Sequence, residues 1–107
     1  VDREESFLNR LRQAVLAQLT SAPLDVDWLA SQAGMSRTQL NRKLSALTNL
    51  SPNRFIQRIR LERGAELLET GTLTVAEVAY QIGYQSPSHF AKVFQEHFEY
   101  PPGKLKG

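Results

Sequence analysis

Apolar residues return every three or four positions along almost the whole chain, and the strict alternation of a half-buried strand does not persist anywhere. The pattern predicts an all-α protein. Phe7, Leu11, Val15 and Leu19 fall four apart and predict an amphipathic helix over residues 3–20, punctuated by Pro23. A short helix follows from Asp25 through Gln32, with Leu24 placed as the hydrophobic staple before the cap. After a turn at Gly34, the stretch "SRTQ" has the form of a capping box: Ser36 caps and Gln39 lies three residues on. That helix runs to about Thr48, where Asn49 suits a left-handed end. Ser51 and Pro52 supply the next cap and first helical residue, and the helix they open reaches roughly Glu69, about 27 Å at 1.5 Å per residue. Its apolar members Phe55, Ile56, Ile59, Leu61, Ala65, Leu67 and Leu68 exceed one stripe, so it is expected to touch neighbours on more than one side. "TVAE" repeats the capping-box form at Thr74 and Glu77 for a helix to about Gln81. Gly83 then turns the chain, and Ser86 with Pro87 starts a last helix through Phe98.

The pattern repeats. "LDVDWLASQAGM" (24–35) lies over "LTVAEVAYQIGY" (73–84): Leu24 on Leu73, Val26 on Val75, Leu29 on Val78, Ala30 on Ala79 and Gly34 on Gly83. With one inserted residue the register continues, Ser36 on Ser86, Leu40 on Phe90, Leu44 on Phe94 and Pro52 on Pro102. The unit is a helix, a short glycine-bearing turn and a second helix with a variable exposed face, the pattern of a helix-turn-helix. A single such pattern describes any α-hairpin; two copies separated by a long helix are far more specific. The chain divides into an N-terminal amphipathic helix (1–22), a first helix-turn-helix lobe (23–51), a linker helix (52–71) and a second lobe (72–107).

At 107 residues, 41% hydrophobic and 22% charged, the chain has material for a core and reads as globular. No apolar run is long enough to span a membrane, and the N-terminus lacks the order of a signal peptide. The expected location is the cytoplasm, and no membrane contact is expected from this segment. The absence of cysteine removes disulfides and thiolate metal sites and fits a reducing compartment. Because the first residue is Val1 and not Met, the chain is expected to be a fragment of a longer protein, with any sensing or oligomerising part outside it.

The net charge of +2 matters less than its distribution. Residues 1–36 and residues 64–107 each carry three basic and five acidic side chains. Residues 37–63 carry Arg37, Arg42, Lys43, Arg54, Arg58, Arg60 and Arg63 against Glu62 alone. Such a block is either a solvated face or a surface for a polyanion, whose bound counterions are released as phosphates are neutralised. Some of the arginines are expected to pair with Glu62, Glu66 or Glu69.

In a helix-turn-helix the second helix enters the major groove with its N-terminal residues on base edges. The recognition helices are then residues 36–48 and 86–98. Burial of Leu40, Leu44 and Leu47 leaves Arg37, Thr38, Asn41 and Arg42 on the outer side of the first. Arg suits guanine, Asn suits adenine, and the Thr methyl suits thymine. Gln39 fits either as a capping partner or as a base reader, the cap being favoured. The second lobe offers Ser88, His89, Ala91 and Lys92, a thinner set from which more phosphate contact and shape reading are expected. Ser36 and Ser86, at helix starts with free N–H groups, suit phosphate anchoring, as does Lys43.

These stretches together, "LASQAGMSRTQLNRKL", "SPNRFIQRIRLERGAELL" and "VAEVAYQIGYQSPSHFAKVFQEHFEYPP", make residues 24–106 resemble the DNA-binding domain of the AraC/XylS family of bacterial transcription regulators. The resemblance implies two helix-turn-helix lobes joined by one helix, a single chain spanning two adjacent major-groove segments of double-stranded DNA, and transcriptional control through RNA polymerase. It carries base reading onto Thr38, Asn41 and Arg42, and onto Ser88, His89 and Lys92. Glu99 stands where the family usually has Gly, implying a mildly strained turn, and Leu105 and Lys106 replace the usual Tyr-Arg ending. The leading "FLNRLRQAVLAQL" resembles versions attached to two-component sensors.

Other readings compete. The 7–11–15–19 face suits packing on the first lobe, dimerisation, or docking to another protein in a helical adaptor. An enzyme is the weakest reading. His89 and His97 lie eight apart, too far for paired metal ligands; Glu66 and Glu69 suit a solvated face; and no glycine-rich phosphate loop is present, so no catalytic residue, metal or cofactor is expected. Trp28 and Tyr80 are both expected in the core.

Overall fold

The structure, a computed structural model, describes residues 3–21 and 24–105. These form α1 (Arg3–Ala17), α2 (Val26–Ala33), α3 (Arg37–Thr48), α4 (Pro52–Glu69), α5 (Val75–Gln81) and α6 (Pro87–Phe98), then a 3-10 turn at Pro102–Lys104. Among the described residues there is no strand. The all-α expectation holds, and helix bounds agree closely except that α1 stops at Ala17 rather than Thr20. Pro23 and Lys106 lie outside the described residues. The chain forms two compact units, residues 1–59 and 60–107, to both of which α4 contributes.

In the first unit, Phe7, Leu11 and Val15 of α1 are buried with Leu29, Ala30, Leu40, Leu44, Phe55, Ile56 and Ile59. The apolar face of α1 is therefore part of this core, and α1 completes the unit. Leu47 is only partly buried at its edge, less than the helical spacing predicts. The second unit is built on Leu61, Leu68, Val78, Ala79, Ile82, Phe90, Val93 and Phe94. The surplus of apolar residues on α4 thus has a simple cause, since Phe55, Ile56 and Ile59 belong to one core and Leu61 and Leu68 to the other.

Local chemistry starts and stops these helices as the sequence predicts. Asp25 accepts from the N–H of Trp28 at 2.8 Å, and Ser36 with Gln39 and Thr74 with Glu77 close reciprocal capping boxes. Gly34 (φ 67°) and Gly83 (φ 96°) hold the left-handed turns that swing each unit into its second helix. Gly64 serves a different purpose. A Cβ there would lie 3.0 Å from Ile82 Cδ1 and 3.3 Å from Phe90 Cε1, both on fully buried side chains, so the absence of a side chain leaves room for these two against α4.

Glu99 ends α6 at φ 67°, its N–H donating to the carbonyl of Gln95 at 2.8 Å. A left-handed conformation costs a residue with a Cβ energy that glycine avoids. Glu99→Gly is expected to stabilise the second unit by about 0.5–1 kcal/mol after the greater unfolded-state freedom of glycine is subtracted. A thermal melt with an unchanged or lower midpoint would count against strain at this cap.

Tyr80 corrects the sequence expectation. Trp28 packs partly buried against the first core, but Tyr80 is 54% exposed. The seven residues of α5 bury Val78 and Ala79, and Tyr80 follows Val78 by two positions, roughly 200° around the helix. It therefore faces away from the core. In the repeat register Trp28 corresponds to Glu77, so the two aromatics are not equivalent.

Candidate nucleic-acid interface

In the first unit, Ser36 Oγ accepts from the N–H of Gln39 at 3.2 Å while Gln39 Oε1 accepts from the N–H of Ser36 at 3.0 Å. Gln39 is therefore occupied as a capping partner. With Leu40 and Leu44 fully buried, helical rotation turns Thr38, Asn41 and Arg42 outward, and all three are exposed. Their side chains make no hydrogen bond or ion pair with another described residue. Ser45, exposed one turn beyond Arg42 on the same face, joins them. Carrying the helical period one turn past Arg42 reaches it in the sequence, but a serine by residue type alone carries little signal of base contact.

Arg37 and Lys43 flank this face and are engaged elsewhere. Arg37 Nε lies 3.3 Å from Asp27 Oδ1 of α2, with both side chains well exposed. Such a pair contributes at most about 1 kcal/mol, so an arriving phosphate or base competes with it readily. Lys43 Nζ sits 4.1 Å from the centroid of the Phe7 ring, directed at α1 on the core-side flank of α3. Lys43→Ala is expected to lower the stability of the first unit by about 0.5–1 kcal/mol through loss of this cation–π contact. Its effect on DNA affinity should be smaller than that of Arg42→Ala; a drop in salt slope without a change in stability would identify Lys43 as a phosphate contact and no support for the ring.

The rest of the basic block is divided in the same way. Arg63 pairs with Glu66 at 3.1 Å, whereas Arg60 is drawn inward, its Nη1 donating to the carbonyl of Ile82 at 2.8 Å. Burial lowers the pKa of Arg60, opposed by the neighbouring Tyr84; burial raises that of Tyr84, opposed by Arg60. Arg54 and Arg58 are exposed on the first half of α4.

In the second unit, Ser86 Oγ accepts from the N–H of His89 at 3.2 Å and Pro87 occupies the first helical position. Phe90 and Phe94 point inward and Ser88, His89 and Lys92 are exposed, whereas Ala91 is partly buried. Gln95 is exposed one turn beyond Lys92, as Ser45 is beyond Arg42. The His89 ring lies 5.6 Å from that of Tyr84. The structure thus gathers Thr38, Asn41 and Arg42 on one capped helix and Ser88, His89 and Lys92 on another. Among the described residues no group of three or more His, Asp or Glu side chains is arranged to hold a metal.

Two helix-turn-helix units, each with a capped second helix presenting an uncommitted polar face, define a helix-turn-helix protein of the two-lobed kind. A helix-turn-helix domain model matches residues 29–107, and the chain belongs to the AraC/XylS family of helix-turn-helix regulators. A DprA winged helix domain model also matches residues 2–50, yet no described residue there forms the strands of a wing. The chain is 39% identical over 103 residues, 96% of its length, to Histidine kinase P4 of Formosa agariphila, and spans 8% of that protein. It is 39% identical over 82 residues, 77% of its length, to the HTH-type transcriptional regulator MtrA of Neisseria gonorrhoeae, and spans 27% of it. The DNA-binding domain of the global transcriptional factor AdpA, solved in complex with a target DNA, superposes with a TM-score of 0.79 at 29% identity. That match covers 92% of this chain and 88% of AdpA's domain.

Proposed function

We propose that this chain is the DNA-binding output domain of a larger bacterial transcription regulator. In this reading α3 and α6 enter adjacent major-groove segments of double-stranded DNA and control transcription initiation. The observation that carries it is the outer face of α3, where the side chains of Thr38, Asn41 and Arg42 stand exposed on a capped helix with no hydrogen-bond or ion-pair partner among the described residues. A solvated helix face needs no such set, whereas Arg and Asn are the side chains that grip guanine and adenine through paired hydrogen bonds. Ser36 and Ser86, with the free N–H groups of the first turns, anchor phosphates. Ser88, His89 and Lys92 read the second segment. Arg37 joins the base readers once Asp27 releases it.

The partners are promoter or operator DNA and RNA polymerase. The match to a small fraction of a histidine kinase supports a two-component sensor or receiver part elsewhere in the full protein. Acting on DNA places the protein with the bacterial nucleoid in the cytoplasm, and no described helix is long and apolar enough to cross a membrane. The helical-adaptor reading loses its main support, because the Phe7, Leu11 and Val15 face is buried in the first unit. The family is one of DNA-binding regulators and not a class of enzymes.

The reading is tested by selecting from a random-sequence duplex pool at moderate salt. Two short enriched motifs about 10 to 10.5 base pairs apart are expected. One motif alone would make the second unit a clamp, and no enrichment would overturn sequence-specific binding.

A further inference from the structure

Tyr84 occupies an unusual place in the second unit, between a fixed interior ring and an exposed side chain on the face assigned to DNA. Its backbone is pinned: the N–H of Tyr84 donates to the carbonyl of Ala79 at 2.9 Å, and the adjoining turn is tied to α4 by Arg60 through the carbonyl of Ile82. Its ring lies 5.5 Å from that of Phe90, which is fully buried, and 5.6 Å from that of His89, at an interplanar angle of 57°. The imidazole of His89 makes no hydrogen bond or ion pair with a described residue, and Tyr84 supplies the ring contact it has among the described residues. The opposite pulls of Arg60 and Tyr84 on each other's ionisation agree with the guanidinium lying close to the phenol.

The first unit solves the corresponding problem differently. At the positions equivalent to Tyr84 and His89 it has Met35 and Gln39. Met35 is flexible, and Gln39 is held by the capping box. The second unit has no capping glutamine at that place, and an unrestrained imidazole would lose rotational freedom each time it met a base.

We infer that Tyr84 is a positioning residue for His89: its ring holds the imidazole in the orientation used for base contact and so sets the preference at the base pair that His89 reads. The inference rests on the DNA-binding reading above and assigns Tyr84 no contact with DNA of its own.

The experiment is a double-mutant cycle on the full chain with Tyr84→Met and His89→Ala. Tyr84→Met installs the side chain that the equivalent turn of the first unit already accommodates. Dissociation constants are measured for the selected duplex and for a panel in which each base pair of the second motif is changed in turn. Tyr84→Met is expected to flatten preference about 3–10-fold at the same pair that His89→Ala flattens, with non-specific affinity and salt slope unchanged. The double variant should be no flatter than His89→Ala alone. Flattening spread over both motifs, or adding in full to that of His89→Ala, would show that Tyr84 acts only through the fold and would overturn the inference. If wild type selects a site but His89→Ala leaves every pair unchanged, this inference fails while the DNA-binding reading stands; if wild type selects nothing, that reading fails first. Should Tyr84→Met not fold, nuclear Overhauser contacts between the Tyr84 ring and the His89 imidazole in wild type decide, their absence overturning the inference.

Discussion

Phe90→Ala is expected to unfold residues 60–107 in most molecules at 25 °C while the first unit keeps its core. Phe90 is fully buried, stands against the gap left by Gly64, and meets the rings of Tyr84 and Phe94 at 5.5 and 5.6 Å. Removing such a ring from a core costs about 3–5 kcal/mol, because the neighbours collapse only partly into the space. A unit of this size holds only a few kcal/mol in all, at about 0.05–0.15 kcal/mol per residue. The first unit loses nothing directly, since Leu29, Leu40 and Leu44 pack with α1 and the start of α4. Amide spectra should keep dispersed signals from those residues while signals from α5 and α6 collapse. Preference at the second DNA motif should vanish and that at the first should persist. Cooperative loss of both sets of signals would show that the two units fold as one.

The second large effect is on recognition. Arg42→Ala is expected to cost about 1–3 kcal/mol of binding to the selected site, concentrated at one base pair, with stability unchanged. Arg42 is exposed, stands directly opposite Leu40 and Leu44 on α3, and is held by no acidic neighbour among the described residues. A bidentate guanidinium carries more discrimination than any other side chain on that face, so its loss should relax preference there before it weakens binding elsewhere. The measurement is a dissociation constant for each single-base variant at two salt concentrations. A uniform loss over all variants, with the salt slope reduced by about one, would identify a phosphate contact instead.

Much of this protein is legible along its sequence because local chemistry, spelled out in short stretches, sets where its helices begin and end. Ser36 with Gln39, Thr74 with Glu77, and Pro52 and Pro87 at first helical positions state where helices start, and the structure has them there. The outward positions Thr38, Asn41, Arg42, Ser88 and Lys92 follow from the same arithmetic, since their buried counterparts lie at fixed rotations around one helix. Tyr80 shows the limit of reading by residue type. An aromatic ring is drawn to a core, but the rotation of a seven-residue helix that also carries Val78 and Ala79 decided otherwise.

By itself, the sequence determined the helices, their caps, the repeat and the face each recognition helix turns outward, because all of these depend on residues within about a turn of one another. What only the tertiary structure decided is the allotment of charges and rings between interior and surface. The cationic stretch reads as one block, yet Arg60 is spent on the carbonyl of Ile82, Lys43 on the ring of Phe7, Arg37 on Asp27 and Arg63 on Glu66, leaving the side chains of Arg42 and Arg54 uncommitted among the described residues. The joining of α1 to the first core, the room that Gly64 leaves for the side chains of Ile82 and Phe90 and the tilted contact of Tyr84 with His89 belong to the same class. Each depends on which element arrives next to which, and a helical period carries no information about that.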